Sequence, residues 1–151
     1  MSNTKIYLVA CGGHGRVVLD ALLSSQQTIH GVVDANIAIG TEIFGVKVVG
    51  GDDVIKTFDP KVTQLVNGCG STGSSRKRME TFEHWSKSGF KFRGVIHKAA
   101  SIGAECKIAD SAQIMAGAVL QNRVSVGENV VINTRASIDH DVVIADHAVI
   151  S

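Results

Sequence analysis

Residues 96–151 read IHKAAS IGAECK IADSAQ IMAGAV LQNRVS VGENVV INTRAS IDHDVV IADHAV IS, and every block of six opens on an aliphatic residue. The row is Ile96, Ile102, Ile108, Ile114, Leu120, Val126, Ile132, Ile138, Ile144 and Ile150. With roughly a quarter of positions in an ordinary domain being Ile, Leu or Val, ten hits in one register arise by chance on the order of once in a million. A second row, Ala100, Cys106, Ala112, Ala118, Val124, Val130, Ala136, Val142 and Ala148, holds only small or β-branched side chains. One large and one small position per hexapeptide is the sequence form of a parallel β-helix. No single unit of it can bury its aliphatic residue, and stacking supplies the core.

Upstream of this row the texture changes, which divides the chain into residues 1–95 and 96–151. Lys5 to Ala10 is a short apolar run followed by Cys11-Gly12-Gly13-His14-Gly15 and a helical pattern with Val18, Ala21 and Leu22 on one face. Ile29 to Val33 reads as a second strand ending in Asp34, and Val62 to Val66 as a third ending in Asn67-Gly68. Ile37 to Val49, with Gly40 and Gly45, reads as a hairpin, and Asp52 as the N-cap of a helix through Phe58. Arg76 to Lys87 carries Met79, Phe82 and Trp85 at helical spacing, a stripe expected to face the core. Alternating strands and helices predict an α/β, Rossmann-like domain. Its strand ends carry glycine or short polar residues, as a ligand crevice at the carboxyl edge of a parallel sheet requires.

Composition narrows the partners. A formal net charge of +1 without a basic run offers no footprint for nucleic acid or an anionic membrane. No apolar run approaches the ~20 residues of a membrane span, and the N-terminus lacks a secretory pattern, so a cytoplasmic location is expected. Cys11, Cys69 and Cys106 are odd in number and fit no metal or disulfide spacing, as suits a reducing compartment. No metal is expected.

Ala10, Gly12 and Gly15 fit a dinucleotide turn with Ala for the first Gly, and Asp34 follows Gly12 by 22 residues, near the distance for an acid on a ribose hydroxyl. Gly12 and Gly13 let a phosphate approach the backbone, where the helix N-terminus offers free N–H donors. His14 stands at the mouth of the turn, placed to bond a phosphate or sugar. Residues 67–76, Asn-Gly-Cys-Gly-Ser-Thr-Gly-Ser-Ser-Arg, would let Asn67, Gly68 and Arg76 clasp another part of the same ligand. The competing readings are a tight strand-to-helix turn without ligand and a plain linker.

The glycine turn Gly12-Gly13-His14-Gly15, the hexapeptide repeat, Asn133-Thr134 and Ile138-Asp139-His140-Asp141 occur in one order, and together the chain resembles the NeuD/PglD-type sugar O- and N-acyltransferases along essentially its whole length. The resemblance implies that the β-helix is left-handed, against the usual crossover rule, and that the protein is a homotrimer. It implies acetyl-CoA as donor, and a nucleotide-linked amino sugar or sialic-acid-type sugar of bacterial polysaccharide biosynthesis as acceptor. His140 would be the general base and Asp141 its carboxylate partner. Spacing alone places His140 two residues after the inward Ile138, near a corner of the coil, flanked by Asp139 and Asp141. A base there needs only to take the nucleophile's proton, because a thioester is already activated.

Three departures stand out. The family usually has Glu where this chain has Asp141, a coenzyme A-contacting histidine where it has Val149, and a second acid where it has Ala35. Relatives also continue through further coils after the position of Ser151, so the solenoid is expected to be shortened here and to lack part of the acetyl-CoA site. The alternative to an enzyme is therefore a non-catalytic, self-assembling module that binds a sugar nucleotide. A nicotinamide oxidoreductase or a zinc hydratase fits worse. The former needs a larger substrate domain, and His140 and His147, seven apart, do not stack on one row.

Overall fold

A computed structural model describes residues 3–151. Its first part is a six-stranded sheet with the strands β1 (Lys5–Val9), β2 (Gly31–Val33), β3 (Glu42–Ile43), β4 (Val46–Gly50), β5 (Thr63–Asn67) and β6 (Lys91–Phe92). Their order is β3-β4-β2-β1-β5-β6, parallel throughout except for the β3–β4 hairpin. Helices α1 (Gly13–Ser24), α2 (Asp52–Ile55) and α3 (Arg76–Lys87) supply the crossovers and cover the sheet. Both faces of the central strands are covered, so Leu8, Val32, Leu65 and Val66 are wholly buried. Val18, Leu19, Ala21 and Leu22 of α1 pack on one face, and Ile55, Trp85, Phe90 and Phe92 on the other. At the hairpin turn Phe44 and Gly45 take φ of 49° and 81°, the left-handed pair that matches strand twist.

Two local expectations change. Gly51, not Asp52, is the N-cap of α2, and the helix stops at Ile55. Thr57 and Phe58 then donate to carbonyls three residues back, which tightens the chain and stacks Phe58 on Tyr7 at 4.2 Å between ring centroids. In α3, Trp85 is buried, whereas Met79 and Phe82 are only partly so, and the helix's most buried side chain is Arg78.

The second part is built from two-residue strands: β7 (Val95–Ile96), β8 (Ser101–Ile102), β9 (Lys107–Ile108), β10 (Gln113–Ile114), β11 (Val119–Leu120), β12 (Ser125–Val126), β13 (Val131–Ile132), β14 (Ser137–Ile138), β15 (Val143–Ile144) and β16 (Val149–Ile150). They form three parallel sheets, β7-β10-β13-β16, β8-β11-β14 and β9-β12-β15, wound as a left-handed β-helix. Ile96 pairs with Ile114, Ile114 with Ile132 and Ile132 with Ile150, so the inward row repeats by whole coils of three hexapeptides. Both rows seen in the sequence share one core, except for the exposed Ile96, Ile102 and Val142. At the corners Glu105, Gly117, Arg123, Asn129, Arg135, Asp141 and His147 have φ between 57° and 72°, each a multiple of six residues from the next. The boundary expected after residue 95 falls inside β7, the first strand of the solenoid.

Outward positions differ by face. The first face shows Val95, Gln113, Val131 and Val149, and Val95 and Val131 with Met115 belong to the same core as α1. The Rossmann-like unit therefore sits on that face. The other two present Ser101, Val119, Ser137 and Lys107, Ser125, Val143, with Val143 78% exposed.

Candidate functional site

A cleft of about 700 Å³ opens beyond the carboxyl ends of β1, β2 and β5, with Val131, Asn133 and Val149 of the solenoid as its far wall. That is the size and position of a small-molecule site in an open α/β sheet. Its shape begins with Ala10, held at φ 71° while its N–H donates to the Val33 carbonyl. The carbonyl of Ala10 is crowded by two glycines: an added Cβ would lie 2.3 Å from it at Gly15 and 1.9 Å at Gly68. These two glycines are required by the protein's own packing. Gly12 and Gly13 are not, because a Cβ at either would meet no atom within 4 Å. Both line the cleft, so bulk there would intrude only on a ligand.

The charge balance of the wall is positive. Arg16, Lys77 and Arg78 line it against the one carboxylate of Asp34, and Gly12 caps α1 without a side-chain bond to its first N–H groups. An anion fits this setting. Asp34 faces its own backbone, accepting from the Cys11 N–H at 2.8 Å and the Asn36 N–H at 2.8 Å. It thereby fixes the glycine turn to the end of β2. Burial pushes the Cys11 thiol up, which keeps it protonated.

His14 reaches across to the solenoid. Gln113, fully buried, donates its Nε2 to the Asn67 carbonyl at 2.7 Å, which turns its Oε1 toward His14 Nε2 at 2.8 Å. Since Oε1 can only accept, Nε2 of His14 carries the proton, and the neutral ring keeps its lone pair on Nδ1. Burial, aided by the nearby Arg78 charge against the raising effect of the Gln113 bond, holds its pKa below the ordinary value.

Asn67 is buried and fully engaged. Its Nδ2 donates to the Arg78 carbonyl and to Asn129 Oδ1, and its Oδ1 accepts from the Cys69 N–H. Arg78 closes the seam: Nη1 donates to the Asn67 and Cys69 carbonyls at 3.0 and 2.9 Å, and Nε to the Asn129 carbonyl. Its Nη2 has no partner, and burial lowers its pKa to about 10. Asn129 continues to His147 Nδ1 at 3.0 Å. The cleft wall thus unites Gly12, Gly13, His14, Asp34 and Gly68. Gly15 and Asn67 lie behind it, and Arg76 is exposed, paired loosely with Glu80 at 3.9 Å.

His140 and Asp141 form a separate cluster. His140 Nδ1 lies 2.7 Å from Asp141 Oδ2, at the exposed corner between β14 and β15. Arg123 holds the same carboxylate through Nε and Nη2, at 2.6 and 3.0 Å. These bonds, with that of His140, keep Asp141 well below the usual carboxylate range. In a three-faced coil this corner is opposite the face that carries the Rossmann-like unit, so one chain keeps its cleft and its histidine apart.

Sequence reasoning missed Arg78, Gln113 and Arg123. Two had a readable signal: Gln113 is the polar member of an otherwise valine outer row, and Arg123 precedes Asp141 by one full coil. Arg78 had none, since it closes the basic triplet Arg76-Lys77-Arg78 at the start of a polar helix, which reads as solvated.

A family model, PglD N-terminal domain, matches residues 5–84. The chain belongs to the PglD N-terminal domain family. Solved structures extend the likeness of this PglD-family chain through the solenoid. The acetyltransferase domain of PglB from Neisseria gonorrhoeae FA1090, in complex with acetyl coenzyme A, is 25% identical over 98% of this chain and 70% of its own, with a TM-score of 0.84. PerB from Caulobacter crescentus, in complex with CoA and GDP-perosamine, is 25% identical over 96% of this chain and 67% of its own, with a TM-score of 0.84. WeeI from Acinetobacter baumannii AYE, 17% identical, shares the fold with a TM-score of 0.81 over 97% of this chain and 68% of its own. No curated protein sequence matches the chain. Among the described residues no cluster of His, Cys, Asp or Glu could hold a metal ion, and no helix is long and apolar enough to cross a membrane.

Proposed function

We propose that this PglD-family chain is an acetyl-CoA-dependent acetyltransferase that acylates the amino group of a nucleotide-linked sugar, with His140 as general base. The observation that carries the reading is the His140–Asp141 pair, 2.7 Å apart on a solenoid corner. Support comes from PglB, whose matching domain is an acetyltransferase holding acetyl coenzyme A, and PerB, which holds CoA with GDP-perosamine. The open Gly12-Gly13 turn and the cationic wall suit the diphosphate of such an acceptor.

The chemistry follows from the tautomer. Asp141 is ionised and can only accept, so His140 carries its proton on Nδ1 and offers the Nε2 lone pair. As the acceptor amine attacks the thioester carbonyl, Nε2 takes the amine proton. The C–S bond then breaks, and the imidazolium returns that proton to the departing thiolate. Because cleft and corner sit on opposite sides of one coil, the base for one chain's acceptor comes from a second copy, and a homotrimer is the arrangement we infer.

The test is acetyl transfer to UDP- and GDP-linked amino sugars. His140→Ala abolishes turnover while both substrates still bind in titration calorimetry; retained turnover overturns the assignment. Mixing Gly12→Val chains with His140→Ala chains restores activity if two copies share each site. The second reading, a sugar-nucleotide-binding module without catalysis, draws on the cleft being walled within one chain. Sugar-nucleotide binding without acetyl-CoA binding selects it.

A further inference from the structure

We propose that Arg123 is a positioning residue for this transfer: it clamps Asp141 so that His140 presents a single, unprotonated Nε2. The proposal deepens the reading of His140 as base and rests on it. Arg123 and Asp141 occupy the same corner on consecutive coils, with φ of 58° and 62°. Their side chains therefore leave the backbone in the same direction, and the Asp141 N–H donates to the Asn122 carbonyl at 3.1 Å, which fixes the register. The guanidinium meets the carboxylate as a fork, Nε on Oδ1 and Nη2 on Oδ2, and Oδ2 is left to accept from His140 Nδ1. Without the fork a carboxylate one methylene shorter than Glu is free to rotate away from the ring.

Stability does not account for this arrangement. The side chains of Arg123, Asp141 and His140 are 56%, 47% and 71% exposed, and exposed ion pairs add little to folding. What the fork does control is the ring's tautomer and its electrostatic surroundings. The charged groups at this corner are Asp141 and Asp139 on the same coil, Arg123 on the coil before and Glu105 one coil further back in the same register.

The experiment uses the full chain with Arg123→Met, Arg123→Lys and His140→Ala, followed by long-range 1H–15N spectra of the imidazole nitrogens and by kinetics. In the unsubstituted chain His140 shows the Nδ1–H tautomer. In Arg123→Met the two tautomers mix. The kcat falls roughly tenfold at an unchanged KM for the sugar nucleotide, and the urea midpoint stays put. Arg123→Lys does not restore the tautomer, because a point charge is not a fork. An unaltered tautomer in Arg123→Met overturns the proposal. Turnover surviving in His140→Ala strikes the general-base reading instead, and the spectra judge Arg123 apart from it.

Discussion

Arg78 and Arg123 show two uses of one side chain. At the seam between sheet and solenoid, Arg78 is 1% exposed, faces carbonyls, and among the described residues has no carboxylate within ion-pair distance. At the β14–β15 corner, Arg123 is open to water and grips a carboxylate in both arms. Burial makes the first group expensive to orphan, so it acts on folding and on how the two parts meet. Solvent makes the second cheap to break, so its geometry matters for chemistry rather than for stability.

The sharpest way to break this contrast is His140→Ala, expected to abolish turnover with no loss of stability, in an acetyl-transfer assay beside a urea titration. A stability loss there would mean the corner is structural after all. Arg78→Met should do the reverse, destabilising by about 3 kcal/mol in urea because the Cys69 and Asn129 carbonyls lose their donor in a dry seam. Around the cleft the same division recurs at smaller scale between glycines. Gly68→Ala, with its Cβ against the Ala10 carbonyl, should lose about 2 kcal/mol, and Gly12→Ala less than ~0.5 kcal/mol while weakening sugar-nucleotide binding in calorimetry.

The smallest effect concerns pH. His14 has a folded pKa below its ordinary value of 6.5, so the unfolded chain binds its proton first as pH falls. The stability from keeping His14 neutral is present above about pH 6.5 and is lost as pH drops through the folded value. Comparing urea midpoints at pH 7.5 and 5.5, His14→Gln should show a flatter dependence than the unsubstituted chain, since it keeps a donor for Gln113 without a titrating group.

Legibility followed physical range. The six-residue row was readable because each Ile makes the same contact one coil away, as Ile114 does with Ile96 and Ile132. The turn at Gly12 to Gly15 was readable as a motif, but not its division into glycines the fold needs and glycines it leaves open. That split depends on where the Ala10 carbonyl points. Asn67, read from sequence as a ligand contact, is engaged by Arg78, Gln113 and Asn129, residues 11 to 62 positions away.

By itself the sequence determined the repeat, the strand–turn–helix opening and the His140–Asp141 adjacency, because each is set by neighbours along the chain or by a strict period. Tertiary structure alone decided which face of the solenoid carries the sheet, that Arg78 is buried in the seam, and that Arg123 grips Asp141. Those outcomes depend on surfaces from distant segments meeting, and local propensity carries no record of such meetings.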